Sequence, residues 1–159
     1  MSAAPSNRTI NFYAAARGYL HAAQIIASHS EFPLRQASLT LPTSLLIAFA
    51  VELFLKCFLA SQGVGDKVLW DIGHSLKAAY QSAIDLGYKP PDDLLDQLIA
   101  FIHDDHLHNR YRYMPQNTIF QIPRIDQATA LLVRLDDQIR ELTGITNELG
   151  PSLLRYPHV

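Results

Sequence analysis

Residues 44–60 read SLLIAFAVELFLKCFLA. Almost every position is apolar, and two charges interrupt the run, Glu52 and Lys56. Four apart, they share one face of a helix. Thr40 is placed to cap that helix, Pro42 suits its first turn, and Gly63 suits a left-handed end. A helix apolar all round is buried either in a bundle or in a membrane. From Leu45 to Ala60 the run spans about 24 Å at ~1.5 Å per residue, short of a ~30 Å hydrocarbon core. An isolated charge in lipid costs about 2.5–3.5 kcal/mol. Both points favour a buried bundle helix, and no membrane association is expected. An unpaired Glu52 in such a helix is expensive. Its natural partners are Lys56, one turn on, and His74, which stands in Gly73-His74-Ser75-Leu76 at the opening of the next helix. This cluster reads as structural, with a ligand pocket between helices as the alternative.

Composition sets the frame. The chain has 159 residues, 48% hydrophobic and 18% charged, which fits one globular domain with a substantial core and few charges to spare. A net charge of −2 argues against holding nucleic acid by bulk electrostatics and leaves room for a local basic patch. Cys57 is the only cysteine, so no internal disulfide forms, and its place in the apolar run marks it as a small buried hydrophobe. The polar opening from Met1 to Asn7 has no apolar segment behind it, so a cytoplasmic protein is expected.

The periodicity predicts an all-α fold of about five helices, mostly antiparallel, in a single domain over 1–159 with its core at about 8–143. Ser6 to Ser28 carries Ile10, Tyr13, Ala16, Leu20, Ala23 and Ala27 at helical spacing. Arg17 and His21 share a face of it and read as a solvated pair. After the central helix, Trp70 is expected to pack over the bundle end. His74 to Leu86 is helical and closes at Gly87. Lys89-Pro90-Pro91-Asp92-Asp93 stops one helix and starts another, which turns Leu94, Leu95, Leu98, Phe101 and Ile102 inward. Residues 111–123 look extended, too short to found a sheet and expected as an ordered loop over the bundle. A last helix from Ile125 repeats Ile125, Ala128, Leu132, Leu135, Ile139 and Leu142 as a heptad seam, packed inside the bundle or shared with a second copy. In the tail, 144–159, Leu153, Leu154 and Tyr156 are the candidates to dock.

The chemistry-bearing residues cluster at His103-Asp104-Asp105-His106-Leu107-His108-Asn109-Arg110 and run on into Tyr111-Arg112-Tyr113. On a continuous helix His103, His106 and Arg110 stand at i, i+3 and i+7 and share a face. Histidines near neutral pKa serve as base and acid in metal-independent RNA cleavage, and arginine holds the phosphate with a planar fork. His106 and Arg110 are therefore the catalytic candidates. His103, Asn109, Tyr111 and Arg112 are candidates for binding nucleic acid, the aromatics by stacking on unpaired bases. A solvated helix end and an aromatic loop capping a bundle account for the same residues. His103, His106 and His108 with Asp104 and Asp105 have the ligand types of a metal site, but His106 and His108 point to different faces, so no metal is expected. No phosphate-cradling glycine loop or serine hydrolase signature is present, and no cofactor is expected.

Ala50-Val51-Glu52-Leu53-Phe54-Leu55-Lys56-Cys57-Phe58-Leu59, followed by Gly73-His74-Ser75-Leu76, resembles the HEPN superfamily. Many of its sequences carry an A-x-E-L-x-L-K-x-x-L helix, a glycine soon after, and an H-x-L helix start. The resemblance covers roughly residues 8 to 112. It implies a helical bundle that forms a homodimer. It further implies association with RNA, as a binding module or as a metal-independent endoribonuclease of defence or toxin–antitoxin systems, with an antitoxin as a partner. Other members are non-catalytic partners of minimal nucleotidyltransferases. Active members carry an arginine, then four to six residues, then a histidine. Here the order is reversed, with His103, His106 and His108 ahead of Arg110 and Arg112.

Overall fold

The computed structural model describes residues 4–29 and 31–146. Among them the chain is all-α, with seven helices and no strand. They are α1 (Asn7–Ser28), α2 (Gln36–Ser61), α3 (Asp66–Ile72), α4 (Leu76–Asp85), α5 (Leu94–Leu107), α6 (Arg110–Tyr113) and α7 (Ile125–Thr143). The two beyond the expected five, α3 and α6, are a seven-residue and a four-residue helix. Leu153, Leu154 and Tyr156 lie outside the described residues.

The apolar run is the axis of the molecule. α2 contacts all six other helices, and Ile47, Val51, Phe54, Leu55 and Leu59 are wholly buried along it. It starts at Gln36, well before the expected cap at Thr40, with Pro42 inside it. Proline gives the helix no N–H, and a turn that loses a donor is normally weakened. Here hydroxyls bond the neighbouring carbonyls: Thr43 Oγ1 donates to Leu39 O at 2.7 Å and Ser44 Oγ to Thr40 O at 2.9 Å. The extra turns also change the membrane argument. The full helix is long and apolar enough to cross a membrane by length and composition, and 72% of its most apolar window is buried inside the bundle.

α1 begins where its sequence says, with Ser6 Oγ accepting from Thr9 N at 3.2 Å. Arg17, expected in solvent, ties α1 to α7 instead: its Nε lies 3.3 Å from Asp136 Oδ2 and its guanidinium sits over the Tyr13 ring. Cys57 is buried, as its setting implied, and its thiol donates to Thr9 O at 3.4 Å.

Three apolar faces are turned relative to expectation. In α3, Leu69 takes the inward position, so Trp70, about 100° further round, is 84% exposed and does not cap the bundle. In α5 the buried row is Leu95, Leu98, Ile99 and Ile102, while Leu94 and Phe101 face out. In α7 Leu131 is buried and Leu142 is exposed. α4 ends as the sequence indicates. Gly87 adopts φ 89°, and Tyr88 N donates back to Ala83 O and Gly87 N to Ile84 O, both at 2.9 Å.

Candidate functional site

The site is built on one carboxylate. Glu52 lies in the middle of α2, 3% exposed, and accepts three charge-assisted bonds. Lys56 Nζ, one turn along, donates to Oε1 at 2.7 Å and also to Gly73 O at 2.7 Å. His106 Nε2 reaches Oε2 from α5 at 2.7 Å, and His74 Nδ1 reaches the same oxygen from the α3–α4 turn at 3.0 Å. Burial alone would push the Glu52 carboxyl up. The bonds from His106, Lys56 and His74 outweigh it and hold the group at about 2. Glu52 is therefore an ionised acceptor, and both imidazoles donate to it.

Local sequence explains why these groups meet. Gly73 has φ 56° and ψ −129°, a conformation open to glycine alone. That turn lets the carbonyl face Lys56 while the next residue, His74, drops toward Glu52. Ser75 then caps α4 by accepting from Ala78 N at 3.2 Å. In α5, the buried row continues one turn past Ile102 to Asp105 and His106. The polar tail of α5 is thus the end of its core stripe, and His106 is only 2% exposed.

Phe49, one turn before Glu52, forms the wall of the site. Its ring meets the edges of His74 and His106 at centroid distances of 5.9 and 5.0 Å, and stacks on Tyr19 at 5.2 Å. The Arg112 guanidinium lies over it at 5.7 Å. His74 and His106 sit 5.5 Å apart, ring to ring. Because His74 spends Nδ1 on Glu52, Nε2 is its unengaged nitrogen, on a side chain 43% exposed. His106 spends Nε2 on Glu52, and its buried Nδ1 has no hydrogen-bond partner.

The expected pairing of His106 with Arg110 on one helical face does not form. α5 stops at Leu107, and Asn109 takes a left-handed conformation (φ 54°) that redirects the chain. Arg110 Nη1 instead pairs with Asp105 Oδ1 at 3.3 Å. Asp105 Oδ2 also accepts from Gln121 N at 2.8 Å, and Tyr111 Oη donates to Gln121 O at 2.7 Å. Tyr111 is buried and stacks on Phe120. Asp105, Arg110 and Tyr111 therefore fasten the 114–124 loop. His103 is buried too and accepts from Lys77 N at 3.4 Å; burial and the Lys77 charge lower its pKa. Of the expected nucleic-acid residues, Arg112 is the one that reaches the Glu52 site.

Sequence reasoning missed Phe49 and Tyr19, and it weighed Asp105 as a metal-ligand type, not as the fastening of the loop. The signals were the position of Phe49 three residues before Glu52 and the helical spacing of Asp105 from Ile102. It named Glu52, Lys56 and His74 together, and the structure adds His106 to them. Glu52, His74 and His106 offer ligand atoms within 4.8 Å of one another, the donor types of a transition-metal site. The Lys56 ammonium on the same carboxylate already supplies the balancing positive charge, so hydrogen bonding accounts for the cluster.

A cavity of about 760 Å³ opens beside the cluster, lined by Lys56, Gly73 and His74 and by Phe12, Lys67 and Trp70 among others. Comparisons of this chain with protein-family models, curated proteins and solved structures found no match.

Proposed function

We propose that this chain is a HEPN-like, RNA-associated protein whose working site is His74, held by Glu52 and flanked by Arg112. The observation that carries the reading is the Glu52–His74 bond at 3.0 Å. A buried carboxylate on Nδ1 fixes the tautomer and orientation of an imidazole whose other nitrogen is free to exchange protons. Arg112 brings a cation to the same wall, suited to a phosphate. The residues that resemble HEPN sequences, Glu52, Lys56 and His74, are the ones that build this cluster. In the proposed reaction His74 Nε2 takes the proton of an RNA 2′-hydroxyl. The 2′-oxygen attacks the adjacent phosphorus, the bond to the 5′-oxygen breaks, and the leaving oxygen takes a proton from water, whose hydroxide recovers the proton held on His74 Nε2. The products carry a 2′,3′-cyclic phosphate and a 5′-hydroxyl, and no metal takes part.

The reading predicts cleavage of single-stranded RNA in the presence of a chelator, with those two end groups. Different end groups, or a requirement for added metal, would overturn it. A second reading, a non-catalytic module for dimerisation or for a partner such as a nucleotidyltransferase or antitoxin, is supported by the groove between α5 and α7. Leu94, Leu98, Phe101, Pro123, Ala128 and Leu131 line it, with Leu94 and Phe101 left exposed. RNA left intact and unbound, together with a dimer in solution, would favour that module.

A further inference from the structure

The cavity beside His74 has a wall that the cluster does not explain. α3 is seven residues long and buries Leu69 alone, yet it carries Trp70 at 84% exposure, the one tryptophan of the chain. A large aromatic ring left in water on a short helix contributes almost nothing to the core. Trp70 and Lys67 are three apart, on neighbouring positions of one helix face, and both line the cavity. Lys67 has no ion-pair partner among the described residues. The acidic residue of this wall, Asp66, is engaged by Arg8. Lys56 and His74 line the same cavity. The cavity thus offers a flat aromatic surface, a free cation and the unengaged nitrogen of His74 in one space.

From this we infer that the cavity is a nucleotide subsite, in which an unpaired base of RNA stacks on Trp70 and its phosphate lies by Lys67. An aromatic face accepts any base, and a lysine beside it tracks the backbone, the usual pairing in single-strand recognition. The inference rests on the RNA reading above and extends it by placing one nucleotide of the strand next to His74. Charge complementarity favours this occupant over a purely apolar one.

Trp70 reports on itself, since its fluorescence is the only tryptophan emission of the chain. The test is a titration of the full chain with a short single-stranded RNA, read by tryptophan emission and in parallel by anisotropy of a label on the RNA. The expected result is saturable quenching that follows the anisotropy curve. Trp70→Ala, tolerable because the ring is exposed, weakens RNA binding about tenfold. Lys67→Glu also weakens it, and raising salt weakens the wild type more than Lys67→Glu. RNA binding with unchanged emission and with Trp70→Ala equal to wild type overturns the subsite and leaves the RNA reading standing. No RNA binding by either readout overturns both. An emission shift that follows protein concentration and not RNA overturns the subsite by placing Trp70 between two copies of the chain.

Discussion

Glu52 is a carboxylate whose surroundings keep it charged inside a core. Its three donors do more than neutralise it, since they hold its pKa near 2 against the upward push of burial. A carboxyl depressed in the folded state contributes stability that is present above its unfolded value, about 4.5, and is lost as pH falls toward 2. The contribution is about 3 kcal/mol at neutral pH. Glu52→Gln should lower the urea midpoint at pH 7 accordingly, and the gap to wild type should narrow between pH 4.5 and 2. A gap that stays constant over that window would contradict the assignment. Cys57 is the counter-case, a thiol for which burial and the Asp136 charge outweigh the one lowering bond, from Thr143. Burial pushes its thiol up to about 12. In the folded protein it should resist alkylation at about pH 8 and react once urea unfolds the chain, which mass spectrometry would read directly.

At the scale of the element, α5 carries the argument. Its apolar row and its polar tail are one stripe: Leu95, Leu98, Ile99, Ile102, then Asp105 and His106. Asp105 is the fastening of the 114–124 loop through Gln121 N and Arg110. Asp105→Ala should cost about 2 kcal/mol, because it leaves a loop N–H without its acceptor. Limited proteolysis should then cut within 114–124 faster than in wild type, and equal rates would show that Tyr111 alone holds the loop. Helix existence was legible because apolar residues recur at three and four in α1, α5 and α7 and run almost unbroken through α2. Helix faces were less so. Leu94, Phe101 and Leu142 fit the periodic pattern one position to the side of the true core row. Trp70 was placed over the bundle end on hydrophobicity, while the register of Leu69 turned it out. Glu52, Lys56 and His74 were legible as a cluster because a buried charge demands partners. His106 was assigned to Arg110 by carrying the helical face past the end of α5, and the sequence does not show the left-handed turn at Asn109 that redirects the chain there.

On the scale of the whole molecule, the bundle brings three separate segments to one carboxylate: α2 with Glu52 and Lys56, the Gly73 turn with His74, and α5 with His106. Arg112 joins from α6 through Phe49, and the cavity at Trp70 lies alongside. The reading of this site as an RNA site is a proposal, supported by an oriented imidazole, a neighbouring cation and an exposed aromatic surface. On that proposal, with a net charge of −2, attraction for RNA would come from that local group of cations and not from the molecule's overall field. The measurement that tests this most directly is cleavage of single-stranded RNA in chelator by wild type, His74→Ala and His108→Ala. The last of these changes an exposed histidine outside the Glu52 cluster, and circular dichroism would confirm that each variant is folded. The account predicts cleavage by wild type and His108→Ala and a loss of at least about a hundredfold in His74→Ala. Equal cleavage by His74→Ala would contradict it.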